Sequence, residues 1–252
     1  MRPGKVYLIG AGPGDVELLT LKAARLLGEA DVLLLDDLVN RELLRFVRPH
    51  AQIVDVGKRG GCKSTPQKLI HQQLVDFARQ GKIVARVKGG DPFVFGRGSE
   101  ELRFLSDAGV AFEVVSGITA GIAVPAALGI PVSHRELAHS VTFVTGHTCD
   151  HQPLNWRALA KVGGTLVIYM GIANLPQIAA ELLAAGLAPT LPAAAIQHGT
   201  LPQQRSVVAT LAALPALVCA HGIGSPAIVI IGDVVGMAAG GLAQPEILRE
   251  RT

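Results

Sequence analysis

Short apolar runs alternate with longer stretches whose apolar positions recur every third or fourth residue, the pattern of strands alternating with helices. In the first half of the chain it predicts strands over 6–9, 32–35, 53–56, 83–87 and 112–115 and helices over 16–27, 41–47, 66–80 and 99–107. Pro66 suits a helix start, with Ser64 or Thr65 as its cap. This βαβα rhythm calls for a mostly parallel sheet covered on both faces.

A second series follows the small, uncharged segment 116–120. Strands are expected over 141–145, 165–169, 193–197, 206–210 and 227–231, with helices over 119–128, 175–185 and 211–220. Gly199 and Pro202 between two of those strands suggest a hairpin, so the second sheet should be mixed. The expected fold class is α/β: two consecutive α/β domains, 1–115 and 116–245, with a tail at 246–252 and the active site in the cleft between them. The uncharged run 114–133 has nearly the length of a membrane span, but Gly117, Gly121, Pro125, Gly129 and Pro131 interrupt it, so no membrane partner is expected.

Composition narrows the choice. Of the 252 residues, 49% are hydrophobic and 17% charged, which excludes intrinsic disorder. Cys62, Cys149 and Cys219 form no CxxC pair, so neither a disulfide framework nor a zinc ribbon is expected. The apolar run 6–11 is broken by Gly12, Pro13, Gly14 and Asp15 before it could serve as a signal peptide, and a cytoplasmic setting is expected.

The net charge of +3 is too mild for a dedicated nucleic-acid binder, yet it is unevenly placed. Residues 41–103 hold thirteen basic and six acidic side chains, an excess of seven, and the remainder of the chain is net negative. Lys58, Arg59, Lys63, Lys88 and Arg97 follow predicted strands, where an open α/β sheet binds its ligands, so an anionic small molecule is indicated. Aromatic residues are only 4% of the chain, which argues against nucleic acid.

Gly10-Ala11-Gly12-Pro13-Gly14-Asp15 joins the first strand to the first helix but is not a dinucleotide loop. Asp15 stands where GxGxxG needs glycine, and it suits a helix N-cap instead. That counts against a nicotinamide oxidoreductase. Similar punctuation recurs in 87–101 (VKGGDPFVFGRGSEE), 116–120 and 169–171, again at predicted strand ends. Any one could be an ordinary turn; together they describe a ligand cleft. His147, Cys149, Asp150 and His151 fit no standard zinc spacing, and no metal is expected.

These blocks resemble the tetrapyrrole methylase family, the class III S-adenosylmethionine-dependent methyltransferases. The resemblance is carried by VYLIGAGPGD at 6–15, VGKRGG at 56–61, the 87–101 block, SGITAGIAVPAALGIPVSHR at 116–135, YMG at 169–171, HGT at 198–200 and SPAIVIIG at 225–232. The 87–101 and 116–135 blocks point to the branch acting on uroporphyrinogen III. What the resemblance implies is C-methylation of that substrate at C-2 and C-7, giving precorrin-2 through precorrin-1, with S-adenosyl-L-methionine as cofactor and S-adenosyl-L-homocysteine as product. It also implies a homodimer. Alternatives are another precorrin methyltransferase or, outside enzymes, a non-catalytic tetrapyrrole-binding protein. The chain length leaves no room for an added dehydrogenase or ferrochelatase module, so those steps are expected on other proteins.

By the same resemblance, cofactor contacts fall on Pro13, Gly89, Gly90, Asp91, Val94, Thr119, Ala120, Met170, Gly199 and Ala227. Met170 also reads as a core residue closing a strand. Substrate contacts fall on Arg97, Glu100 and Arg135. The arginines suit carboxylate clamps; Glu100 needs a hydrogen bond, from a pyrrole N–H or from Arg97. The family's proton acceptor falls on Asp36 and its proton donor on Lys58. Ser99 stands where glycine is common, and a helix N-cap role is expected for it.

Overall fold

The computed structural model describes residues 4–57, 65–147 and 154–238. They fall into two compact units that divide between Thr119 and Ala120.

The first unit is a five-stranded sheet of β1 (Lys5–Gly10), β2 (Val32–Leu35), β3 (Gln52–Asp55), β4 (Ile83–Lys88) and β5 (Ala111–Val115), in the order β3-β2-β4-β1-β5. Every pairing is parallel, as for Leu34 opposite Arg86 and Gly10 opposite Lys88. β2 reads as a continuous apolar run because both of its faces are buried. One face packs Ile9, Leu33 and Val87 against Leu26 and Leu27 of α1 (Leu21–Glu29). The other packs Leu8, Leu34 and Val84 against Leu74 of α2 (Gln67–Arg79) and Leu105 of α3 (Gly98–Asp107).

Several boundaries differ from the periodicity. The helix expected over 16–27 is a 3-10 turn, Val16–Leu18, followed by α1, because Thr20 caps the latter by accepting the Ala23 N–H at 3.1 Å. The 41–47 segment is also 3-10. α2 has Pro66 at its N-cap with no side-chain cap, and Ser64 lies outside the described residues. Ser99 does not cap α3: that position belongs to Arg97, in a left-handed conformation.

The second unit opens with α4 (Ala120–Ala126) and builds its sheet from β6 (Val141–Thr145), β7 (Thr165–Tyr169), β8 (Pro192–Gln197), β9 (Arg205–Thr210) and β10 (Ala227–Ile231). The order is β6-β7-β10-β8-β9, with β6 parallel to β7 and all other pairs antiparallel, so the sheet is mixed and β8–β9 is the expected hairpin. One face is covered by α5 (Trp156–Val162), α6 (Leu175–Ala184) and α7 (Leu214–Ala220). α4 packs against β7 and β10. Periodicity missed α5; it starts where Asn155 accepts the Ala158 N–H at 2.9 Å.

Candidate active site

In the first unit, β1 and β4 are neighbours whose connections leave in opposite directions, β1 toward β2 and β4 toward β5. Such a switch point opens a crevice at the C-terminal edge of a doubly wound sheet. Here backbone hydrogen bonds stitch it closed. Ala11 N–H donates to Lys88 O at 2.8 Å, Gly12 N–H to Gly90 O at 3.2 Å and Gly90 N–H to Gly12 O at 2.7 Å. Asp15 caps the next turn through the Glu17 N–H at 2.9 Å. The amides of Ala11, Gly12 and Glu17 are therefore committed, a structural reason against a pyrophosphate there.

Three loops meet at this edge at backbone distance. A Cβ on Gly10 would lie 2.5 Å from Gly117 N and 2.6 Å from Gly90 O, so only glycine fits. Asp91 ties them: Oδ1 accepts the Phe93 N–H at 2.8 Å and Oδ2 the Gly117 N–H at 3.1 Å. The unit thus gathers Pro13, Gly89, Gly90 and Asp91 at one edge, with Thr119 buried two residues beyond Gly117. The loop after β2 adjoins them, since a Cβ on Gly89 would meet Leu38 Cβ at 3.1 Å.

In the second unit, β10 runs antiparallel to both β7 and β8, so its start lies beside their ends, with Ile228 opposite Tyr169 and Ala227 opposite Gln197. Met170, Gly199 and Ala227 consequently share one edge. Gly121 N–H donates to Tyr169 Oη at 2.7 Å, and a Cβ on Gly199 would overlap Val124, which brings the start of α4 and Ala120 there too. Met170 is 52% exposed, so it is not the core residue that its place after an apolar strand allowed.

All five non-glycine residues with positive φ among the described residues lie in these loops: Phe95 and Arg97 after β4, Met170 after β7, and His198 and Thr200 after β8. Left-handed backbone costs such residues about 1–3 kcal/mol each and clusters where a ligand is gripped. Sequence alone did not reveal this.

Arg97 Nε and Nη2 donate to Glu100 Oε1 and Oε2 at 2.9 and 2.7 Å, which supplies the partner expected for Glu100 and holds its carboxyl below the usual range. Val94 is half-buried in the same loop. Arg135 occupies an exposed turn closed by the His134–Ala138 bridge. Lys58, Arg59, Lys63, Cys62 and the segment 148–151 lie outside the described residues.

Asp36 directly follows β2 and lines a cavity of ≈ 160 Å³ with Leu35, Asp37, Val39, Arg41, Asp55 and Gly57. Arg41 pairs with Asp55 at 3.0 and 3.3 Å. Behind Asp36 lies a charge cluster that the sequence reading missed. Glu101 is fully buried, and its Oε1 accepts from Arg86 Nε at 3.0 Å, Gln67 Nε2 at 3.1 Å and Lys88 Nζ at 3.3 Å. Lys88 is therefore not the loop cation that was expected: it ends β4, 4% exposed, and burial, reinforced by Arg86, lowers its pKa. The available signal was a pair of cations two apart in an apolar strand, IVARVK, which places both on one face.

One unit with a doubly wound parallel sheet and backbone-tight glycine loops, and one with a mixed sheet and left-handed residues at its strand ends, define a two-unit α/β protein. The chain belongs to the tetrapyrrole (corrin/porphyrin) methylases, whose pattern matches residues 5–215. It is 52% identical over 231 residues to a uroporphyrinogen-III C-methyltransferase of Pseudomonas aeruginosa, covering 92% of this chain and 94% of that one. A siroheme synthase of Chromobacterium violaceum is 51% identical over 94% of this chain, which spans 51% of that longer protein. Among solved structures, uroporphyrin-III C-methyl transferase of Thermus thermophilus complexed with S-adenyl homocysteine has a TM-score of 0.78 at 42% identity, covering 92% of this chain and 93% of that one.

Proposed function

We propose that this chain transfers methyl groups from S-adenosyl-L-methionine to carbons C-2 and C-7 of uroporphyrinogen III, forming precorrin-2 by way of precorrin-1. The observation that carries this reading is the similarity along nearly the full length of the Pseudomonas aeruginosa enzyme. What supports the cofactor in the residues present is half-exposed Met170 as an apolar wall and the left-handed backbone kept at Phe95, Arg97, Met170, His198 and Thr200. Pro13, Gly89, Gly90, Asp91, Val94, Thr119, Ala120, Met170, Gly199 and Ala227 would hold it. When bound, it supplies an electrophilic methyl on a cationic sulfonium.

Arg97 and Arg135 would take substrate carboxylates, each through the paired donors of a guanidinium. Arg97 exchanges Glu100 for a substrate carboxylate, so that its charge is never without a counterion. Asp36, whose side chain is 37% exposed, accepts the proton lost from the methylated ring and passes it to solvent. Lys58, assigned as donor, gives the ring a proton only as an equal one leaves it, so that each methyl transfer releases one proton in net. Orientation contributes most of the rate, because the leaving sulfur needs little acid assistance. We also assign the chain to a cytoplasmic homodimer with the domain bounds given above.

Incubation with uroporphyrinogen III and S-adenosyl-L-methionine followed by mass analysis tests the reading. A gain of two methyl groups is expected. No gain, with methylation of a later precorrin instead, overturns it in favour of another precorrin methyltransferase.

A further inference from the structure

Asp36 is gripped from behind by two nearly buried cations. Its Oδ1 accepts the Asp37 N–H at 3.1 Å, and its Oδ2 faces Arg86 Nη2 at 3.4 Å and Lys88 Nζ at 4.0 Å. The side chains of Arg86 and Lys88 are only 2% and 5% exposed. Arg86 is fixed further by donating Nη1 to the carbonyls of Leu34 and Val87, at 3.5 and 3.3 Å. Glu101, from α3, holds both cations through a single oxygen, and its Oε2 has no hydrogen-bond partner among the described residues. From α2, Gln67 reaches Glu101 and lies 3.1 Å from His71, whose imidazole pKa burial lowers.

Two buried cations thus share two carboxylates, one sealed inside and one partly open to solvent. A sealed ion cluster is a poor source of stability compared with apolar packing. Of its four charged side chains, Asp36 alone is appreciably exposed. We infer that Arg86 and Lys88, anchored by Glu101, are positioning residues that hold the Asp36 carboxylate in a single orientation for the reaction. They touch no substrate and act through Asp36. This rests on the reading above in which Asp36 serves methyl transfer.

A double-mutant cycle in the full chain tests it, with turnover of uroporphyrinogen III and calorimetric affinity for S-adenosyl-L-methionine as readouts. Lys88→Met is expected to lower kcat about tenfold while KM and cofactor affinity stay within about twofold. In the Asp36→Ala background the same substitution should change kcat less than about twofold, because nothing remains to be positioned. Equal factors in both backgrounds would overturn the inference while leaving Asp36 its role. An unchanged kcat in Asp36→Ala alone would instead overturn the assignment of Asp36, and the inference with it. Should Lys88→Met not fold, Arg86→Lys, which keeps a cation near Glu101 but withdraws the guanidinium from Asp36, is read by the same cycle.

Discussion

Asp91 Oδ2 accepts the backbone N–H of Gly117 at 3.1 Å, so the loop after β4 and the loop after β5 are joined by one carboxylate. The resemblance assigns Asp91 to the cofactor, but each oxygen already receives a backbone amide. Its first effect is to fix the backbone around Gly10, Gly90 and Gly117.

Asp91→Ala should therefore damage shape and binding together. Leaving the part-buried Gly117 amide without its acceptor costs about 1–3 kcal/mol, whereas water can take over the exposed Phe93 amide. Urea unfolding should show that loss, and calorimetric titration should show affinity for S-adenosyl-L-methionine reduced about tenfold or more. Weakened binding without any stability loss would mean that Asp91 acts only as a direct ligand.

Met170 carries left-handed backbone at φ 52° and a half-exposed side chain. Met170→Gly removes the steric penalty and the apolar wall at once. Glycine is tolerated at such a φ, so stability should stay within about 1 kcal/mol of the parent or rise. Cofactor affinity should fall several-fold, as expected where strain is kept for binding. A large stability loss would return Met170 to the core.

Arg97, at the N-cap of α3, and Glu100, in its first turn, form an exposed pair worth at most about 0.5 kcal/mol to folding. Arg97→Ala should leave the melting temperature nearly unchanged, while KM for uroporphyrinogen III rises about tenfold and cofactor affinity holds. Steady-state kinetics with either substrate varied separates these effects. A rise in both KM values would place Arg97 with the cofactor.

The strand pattern was legible because β1, β2 and β4 bury nearly every residue and are correspondingly dense in apolar side chains, β2 without interruption. α5 was not, since only Trp156 of its residues is fully buried and its apolar period is weak. The glycine loops announced themselves as punctuation in the sequence. The Arg86–Glu101 contact did not: charge counts carry no burial, and the partners are 15 residues apart on different elements. Arg86 and Lys88 were thus counted toward a positive surface, although the protein closes over both. The left-handed residues escaped notice because Met, His and Thr in a sequence give no sign of φ.

Glu113 offers a test of surface electrostatics away from the candidate site. Lys22 Nζ and Lys5 Nζ reach its two oxygens at 2.5 and 2.6 Å, and these hydrogen bonds, that of Lys22 foremost, hold the carboxyl at about 2 against an ordinary 4.5. A depressed carboxyl stabilises the fold above its unfolded value and loses that contribution as pH falls toward the folded value. The group is a third exposed, so water screens the pair and its worth is about 0.5–1 kcal/mol. Glu113→Gln should lower stability by that amount at pH 7, and the gap should close between about pH 5 and pH 2. Urea unfolding of both proteins across that range measures it. A gap that persists unchanged at pH 2 would show that the glutamate stabilises β5 through packing rather than charge.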